Sequence, residues 1–250
     1  MKRIALMILT IIFISSSILT AHEKVVTFGA ENTPPYAFND KKTAKGLLPD
    51  LVKAAYKDSG FWVRIRILPP KRSSILSEKG KIDGVMGVAK DVSLFEGEVF
   101  SDSICKINIH PIVLKETKVI YNSIEDLQQY TLAVVRGVGF EDAFPTLKLD
   151  TVTDVGQNIT KLFAKRFTIM IEDPVIIDYI VNNSKIYNRY KGRYDVLSPT
   201  LIELDLAIGF SSKNPKYQEK LESFNNGLSM IKQNGTYDAI MKRWGIKKTP

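Results

Sequence analysis

The feature that most constrains this chain is a strand–helix alternation that occurs twice, about a hundred residues apart. Val25 to Phe28 reads as a strand, and Leu48, Leu51, Val52 and Ala55 then share one helix face that Gly60 ends. Trp62 to Leu68 alternates, with Val63, Ile65 and Ile67 facing one way and Arg64 and Arg66 the other, until Pro69-Pro70 stops the strand. A helix from about Arg72 to Gly80 and a strand over Gly84 to Val88 complete the first α/β unit. The second begins after Val113. Ser123 with Asp126 and Asp154 with Gln157 form two candidate capping boxes, Thr131 to Val135 and Phe167 to Ile171 read as strands, and Glu172-Asp173-Pro174 turns into a helix. The remainder holds a strand over Leu206 to Phe210, a helix faced by Leu221, Phe224, Leu228 and Ile231, and a short helix ending near Trp244. Two α/β lobes of similar build are therefore expected, with a C-terminal segment of different character.

Composition narrows the class. Met1 to Ala21 reads as a signal peptide: Lys2-Arg3, an apolar run from Ile4 to Ile14, then Leu19 and Ala21 placed for cleavage before His22. About 229 residues remain, and the formal charge falls from +8 to +6. The basic residues form no dense tract, so no nucleic-acid partner is expected. The mild positive balance suits solubility or an anionic ligand equally well. One cysteine, Cys105, cannot form an internal disulfide, and two histidines, His22 and His110, cannot build a histidine-rich metal site. No metal or cofactor is expected.

Open α/β sheets bind ligands outside the carboxyl ends of their strands. The loops there carry Glu31, Asn32 and Tyr36; Lys71 and Arg72; Lys90 and Asp91; Arg136 with Gly137; and Glu172 with Asp173. Tyr36 can stack on a ligand and donate a hydrogen bond, and Arg72 can clamp a carboxylate. Lys90 can attract an anion, Arg136 precedes a glycine turn suited to one, and Asp173 suits an ammonium group. Each also has a plain structural reading: a turn aromatic, solvated cations, a turn, a helix cap. No nucleophile elbow, zinc-protease helix or phosphate loop is present.

The order of several segments resembles the bacterial extracellular solute-binding proteins of family 3, over about residues 24 to 246. Pro34-Pro35-Tyr36-Ala37-Phe38, Gly46 to Leu51 with Asp50, Gly80-Lys81-Ile82-Asp83-Gly84, Ile124 to Leu127, and Asn234-Gly235-Thr236-Tyr237-Asp238 with Trp244 carry the resemblance. It implies a two-lobe periplasmic-binding-protein fold of type II, with two crossover hinge strands. The lobes would be 22–109 plus 206–250, and 110–205. It further implies Tyr36 stacked on the ligand, and Asp173 (or Glu172, one register away) on its amino group. Gly137-Val138 would receive the ligand's carboxylate, valine replacing the usual hydroxyl donor. The family's usual arginine is absent from Gly87 to Glu96, which makes Arg72 and Arg136 the candidate replacements. The expected role is capture, by a periplasmic monomer, of a small polar, carboxylate-bearing solute such as an amino acid or derivative. The solute would pass to an inner-membrane ABC permease or be presented to a sensory receptor. The competing readings are an exported dehydratase-like enzyme, with Glu172 or Asp173 as acid or base, and an interaction protein without a small ligand.

Overall fold

In the computed structural model the described residues are 24–90, 92–136 and 140–246. The signal peptide expected at Met1–Ala21, and Gly137 and Val138, lie outside them.

A ten-stranded sheet runs through the molecule in the order β4-β1-β5-β12-β7-β10-β8-β9, with β6 (Glu98–Phe100) on β12 and β11 on β7, while β2 (Phe38–Asp40) and β3 (Thr43–Lys45) form a separate two-stranded sheet. β1 (Lys24–Ala30) lies parallel to β4 (Phe61–Ile67) and β5 (Gly84–Ala89). β8 (Thr131–Val135) lies parallel to β9 (Lys148–Val152) and β10 (Ile169–Glu172). Two ten-residue antiparallel strands, β7 (Cys105–Leu114) and β12 (Ile202–Ser211), join these parallel sets. Each changes partner midway. β7 pairs with β12 over Cys105–Ile109, then with β10 and β11 (Tyr194–Val196) from His110 on. β12 pairs with β7 up to Leu206 and with β5 beyond it. The chain thus crosses between two sheet regions twice, the arrangement of a bilobed type II periplasmic-binding protein.

Helices cover both faces. On the first region α1 (Leu47–Tyr56) and α6 (Tyr217–Gln233) pack together on one side, while α2 (Pro70–Glu78) takes the other. α2 begins two residues before the expected Arg72 because proline, which has no N–H to leave unpaired, fits the first turn of a helix. The α1–α6 approach needs Gly227, where a Cβ would stand 1.8 Å from the Ala55 carbonyl oxygen. On the second region a one-turn helix α3 (Phe140–Ala143) follows β8, and α4 (Val155–Phe163) and α5 (Pro174–Asn183) bury Ile159, Leu162, Ile176 and Ile177. The opposite face carries Leu127, Leu132, Val134 and Ile169. Both expected caps form: Asp126 accepts from the Ser123 N–H, and Asp154 from the Gln157 N–H. The main core is continuous through the crossing strands, from Phe28 and Phe210 by way of Ile104 and Ile112 to Met170 and Ile177. The residue pattern alone gives no strand over β7, although the resemblance implies a crossing strand there. Pro111 at its centre argues against a strand by the usual propensities, yet its carbonyl still accepts from the Leu197 N–H.

Candidate functional site between the lobes

The carboxyl ends of β1 and β10 deliver the two central residues. After β1 the chain turns at Thr33, whose N–H donates to the Ala37 carbonyl and whose carbonyl accepts from the Tyr36 N–H. The first N–H groups of α1, which need acceptors outside the helix, are satisfied by this loop: Leu47 donates to Pro35 and Leu48 to Tyr36. Gly46 (φ +132°) allows that approach, because a Cβ there would stand 2.3 Å from the Tyr36 carbonyl oxygen. Tyr36 is thereby held by its backbone, and the residue is 4% exposed. On the other side Asp173 caps α5. Its Oδ1 accepts from the Val175 N–H at 2.9 Å, with Pro174 in the first turn. Asp173 is 2% exposed.

These residues, 137 positions apart, meet: the Tyr36 hydroxyl donates to Asp173 Oδ2 at 2.5 Å. Burial of the pair and the adjacent negative charge raise the Tyr36 phenol above its ordinary range. Burial also raises the Asp173 carboxyl, against the pull of the Tyr36 and Val175 donors. Glu172 is partly buried, and its Oε1 accepts from the Asp173 N–H at 2.9 Å. Burial pushes it up to about 8, with smaller contributions from the negative charges of Asp173 and Glu31. Glu31, just past β1, is raised by burial to about 7. Three carboxyl groups from two lobes therefore share one region, and each is held above the usual carboxylate range. None of the three forms an ion pair with a described residue. Such a setting favours a positively charged guest.

His110 stands opposite Glu172 in the β7–β10 register. Its ring nitrogens lie 3.0 Å from the Leu197 carbonyl oxygen and 3.3 Å from Thr200 Oγ1. Cys105 is buried in the core, and its thiol is pushed up to about 12 by burial. The thiol is therefore held protonated, the opposite of what a nucleophile needs. A second bridge between the lobes is aromatic. Phe38 packs on Tyr179 of α5 with ring centroids 5.8 Å apart, and edge-on against Trp244 at 6.0 Å.

No hydrogen bond or ion pair among the described residues joins Arg72, Lys90 or Arg136 to this group. Arg72 is exposed in the first turn of α2, and Lys90 is exposed after β5. Arg136 is exposed after β8, its guanidinium donating to Thr151 Oγ1 at 3.1 Å. Sequence reasoning named the Glu31 loop but not Glu31 as a site residue, and it passed over Phe38 and Tyr179. The position of Glu31, next to Tyr36 at the end of a strand, was the one signal available.

Other motif residues build the scaffold. Asp50 accepts from Trp244 Nε1 at 2.8 Å and from Arg243 at 2.7 Å. Asp83 accepts from the Thr27 N–H at 2.7 Å and pairs with Lys220 inside the lobe. Among the described residues no His, Cys, Asp or Glu group is placed to hold a metal, and no helix is long and apolar enough to cross a membrane.

The sequence profile of the bacterial extracellular solute-binding proteins, family 3, matches residues 26–247, and the chain belongs to that family. Solved structures of the same fold include an ancestral arginine-binding protein bound to arginine (23% identity, 89% of this chain and 99% of that one, TM-score 0.74). A histidine kinase sensor domain with similarity to periplasmic binding proteins superposes with a TM-score of 0.77 (19% identity, 92% and 100% coverage). An ABC uptake transporter substrate-binding protein from Streptococcus pneumoniae with bound histidine gives 0.73 (18% identity, 90% and 93%). No curated protein matches the sequence.

Proposed function

We propose that this chain is a periplasmic binding protein that encloses a small, ammonium-bearing solute of amino-acid type between its lobes. The observation that carries the reading is the Tyr36–Asp173 contact. An aromatic from one lobe and a buried carboxylate from the other meet at the ends of their strands. Each Asp173 oxygen receives one donor and retains capacity for another, so a ligand ammonium can join without displacing the cap. Glu172 and Glu31, raised by burial to about 8 and about 7, supply further negative charge around the same point once they ionise. The resemblance implies that the exposed Arg72 and Arg136, with Lys90 as a further exposed cation, supply the positive side for a carboxylate at the solute's other end. Closing the lobes expels water, which strengthens each of these contacts. The closed form then serves a membrane permease of the ABC type. Presentation to a sensory receptor is the second reading, favoured by the likeness to a histidine kinase sensor domain.

The test is thermal unfolding of the purified chain against amino acids, simple amines and simple carboxylates. A ligand present at a hundred times its Kd stabilises the native state by about 2.7 kcal/mol. Solutes with an ammonium group should raise the midpoint, and carboxylates without one should not. A shift produced only by carboxylates would overturn the assignment.

A further inference from the structure

The chain's positive charge is concentrated at one place. Residues 61–81 hold six basic residues, Arg64, Arg66, Lys71, Arg72, Lys79 and Lys81, against one acid, Glu78, a net +5 of the chain's +8. All six are exposed, and none forms an ion pair with a described residue. The segment comprises β4, which ends the sheet, and α2. On β4, Trp62, Arg64 and Arg66 occupy the alternate exposed positions, in register with Val25, Thr27 and Gly29 of β1. α2 lies over the same face, since a Cβ on Gly29 would meet Ser73 Oγ at 2.6 Å. It leaves the β4 stripe uncovered. Trp62 is 64% exposed, Val25 beside it 37%, and Ile75 on α2 40%.

We propose that this face docks reversibly on an anionic phospholipid surface. Arginine pairs with phosphate through a fixed fork of donors, and tryptophan prefers the boundary between headgroups and acyl chains. The surface offers unpaired cations with large apolar side chains among them, as a charged headgroup layer requires. Charges on an edge strand also guard it against pairing with another strand. That role alone predicts no affinity for lipid.

The experiment is co-flotation of the purified chain with vesicles of phosphatidylglycerol and phosphatidylcholine, compared with vesicles of phosphatidylcholine alone. Binding should require phosphatidylglycerol, fall with added salt, and shift tryptophan emission to the blue, a shift lost in Trp62→Phe. Each neutralised charge should lower partitioning about five-fold, so the doubly reversed Arg64→Glu/Arg66→Glu variant should stop floating. Both side chains are exposed, and an unchanged unfolding midpoint of the variant verifies its fold. Absence of wild-type flotation at low salt would overturn the proposal, as would equal flotation of the reversed variant. Retention on a column of acidic polypeptide without any vesicle binding would also overturn it and assign the face to an acidic protein.

Discussion

Asp83 and Asp173 are both buried aspartates near the end of a strand, and they do different work. Asp83, 6% exposed, is saturated by the fold: the Thr27 N–H and the Lys220 ammonium, itself packed into the lobe, neutralise it. Asp173, 2% exposed, has a helix-cap N–H and a tyrosine hydroxyl but no ion-pair partner among the described residues. A buried carboxylate costs several kcal/mol unless a cation compensates it. One lobe supplies that cation from its own helix. At the lobe interface the compensation is left to protonation or to a guest. Burial therefore does not mark a ligand carboxylate; burial without an internal cation does.

The largest effect is expected at Asp83. Asp83→Ala leaves the Lys220 ammonium uncompensated and should destabilise the chain by about 3–5 kcal/mol, read as a lower denaturant midpoint. Asp173→Asn keeps a capping oxygen, so stability should move by less than about 1 kcal/mol while affinity for an ammonium-bearing solute falls at least about thirty-fold. Equal stability losses in the two variants would erase the distinction. Tyr36→Phe removes one donor to Asp173 and should weaken affinity about ten-fold, with an unchanged denaturant slope.

The pH dependence sharpens the same contrast. Glu31 and Glu172 are raised in the folded chain to about 7 and about 8. The folded state then holds protons that the unfolded state has released, so their contribution is full below about pH 4.5 and lost as pH rises through those values. Glu172→Gln should match the wild type at low pH and exceed it in stability above about pH 8. Affinity for an ammonium-bearing solute should rise over the same window as the carboxyl groups ionise, in a titration repeated across pH. The smallest effect is expected at Arg243, whose exposed pairing with Asp50 should contribute about 0–1 kcal/mol on Arg243→Ala.

Much of the scaffold was legible because it rests on local rules. Alternation in Val63, Ile65 and Ile67, the helical spacing of Leu221, Phe224 and Leu228, and the Ser123 and Asp154 caps each report one element. The order of short motifs then gave the family. Several of those motif residues, Asp50 with Trp244 and Asp83 with Lys220, prove to hold the lobe together, so the resemblance speaks more firmly about fold than about ligand. Tyr36 and Asp173 were readable as strand-end residues on matching loops. Their contact was not, since it depends on how two lobes close over 137 positions of sequence. Glu31 and the Phe38–Tyr179 contact escaped for the same reason. β7 follows from the resemblance, as a crossing strand, and not from local pattern, because its mid-strand proline and change of partner have no local signature.

The most direct test of the account is a paired thermal-shift measurement on wild type and Asp173→Asn with the same set of amines, amino acids and carboxylates. At least one ammonium-bearing solute should raise the wild-type midpoint. That shift should vanish in Asp173→Asn, whose unliganded midpoint is nearly unchanged. A solute without an ammonium group that stabilises both proteins equally would contradict the account.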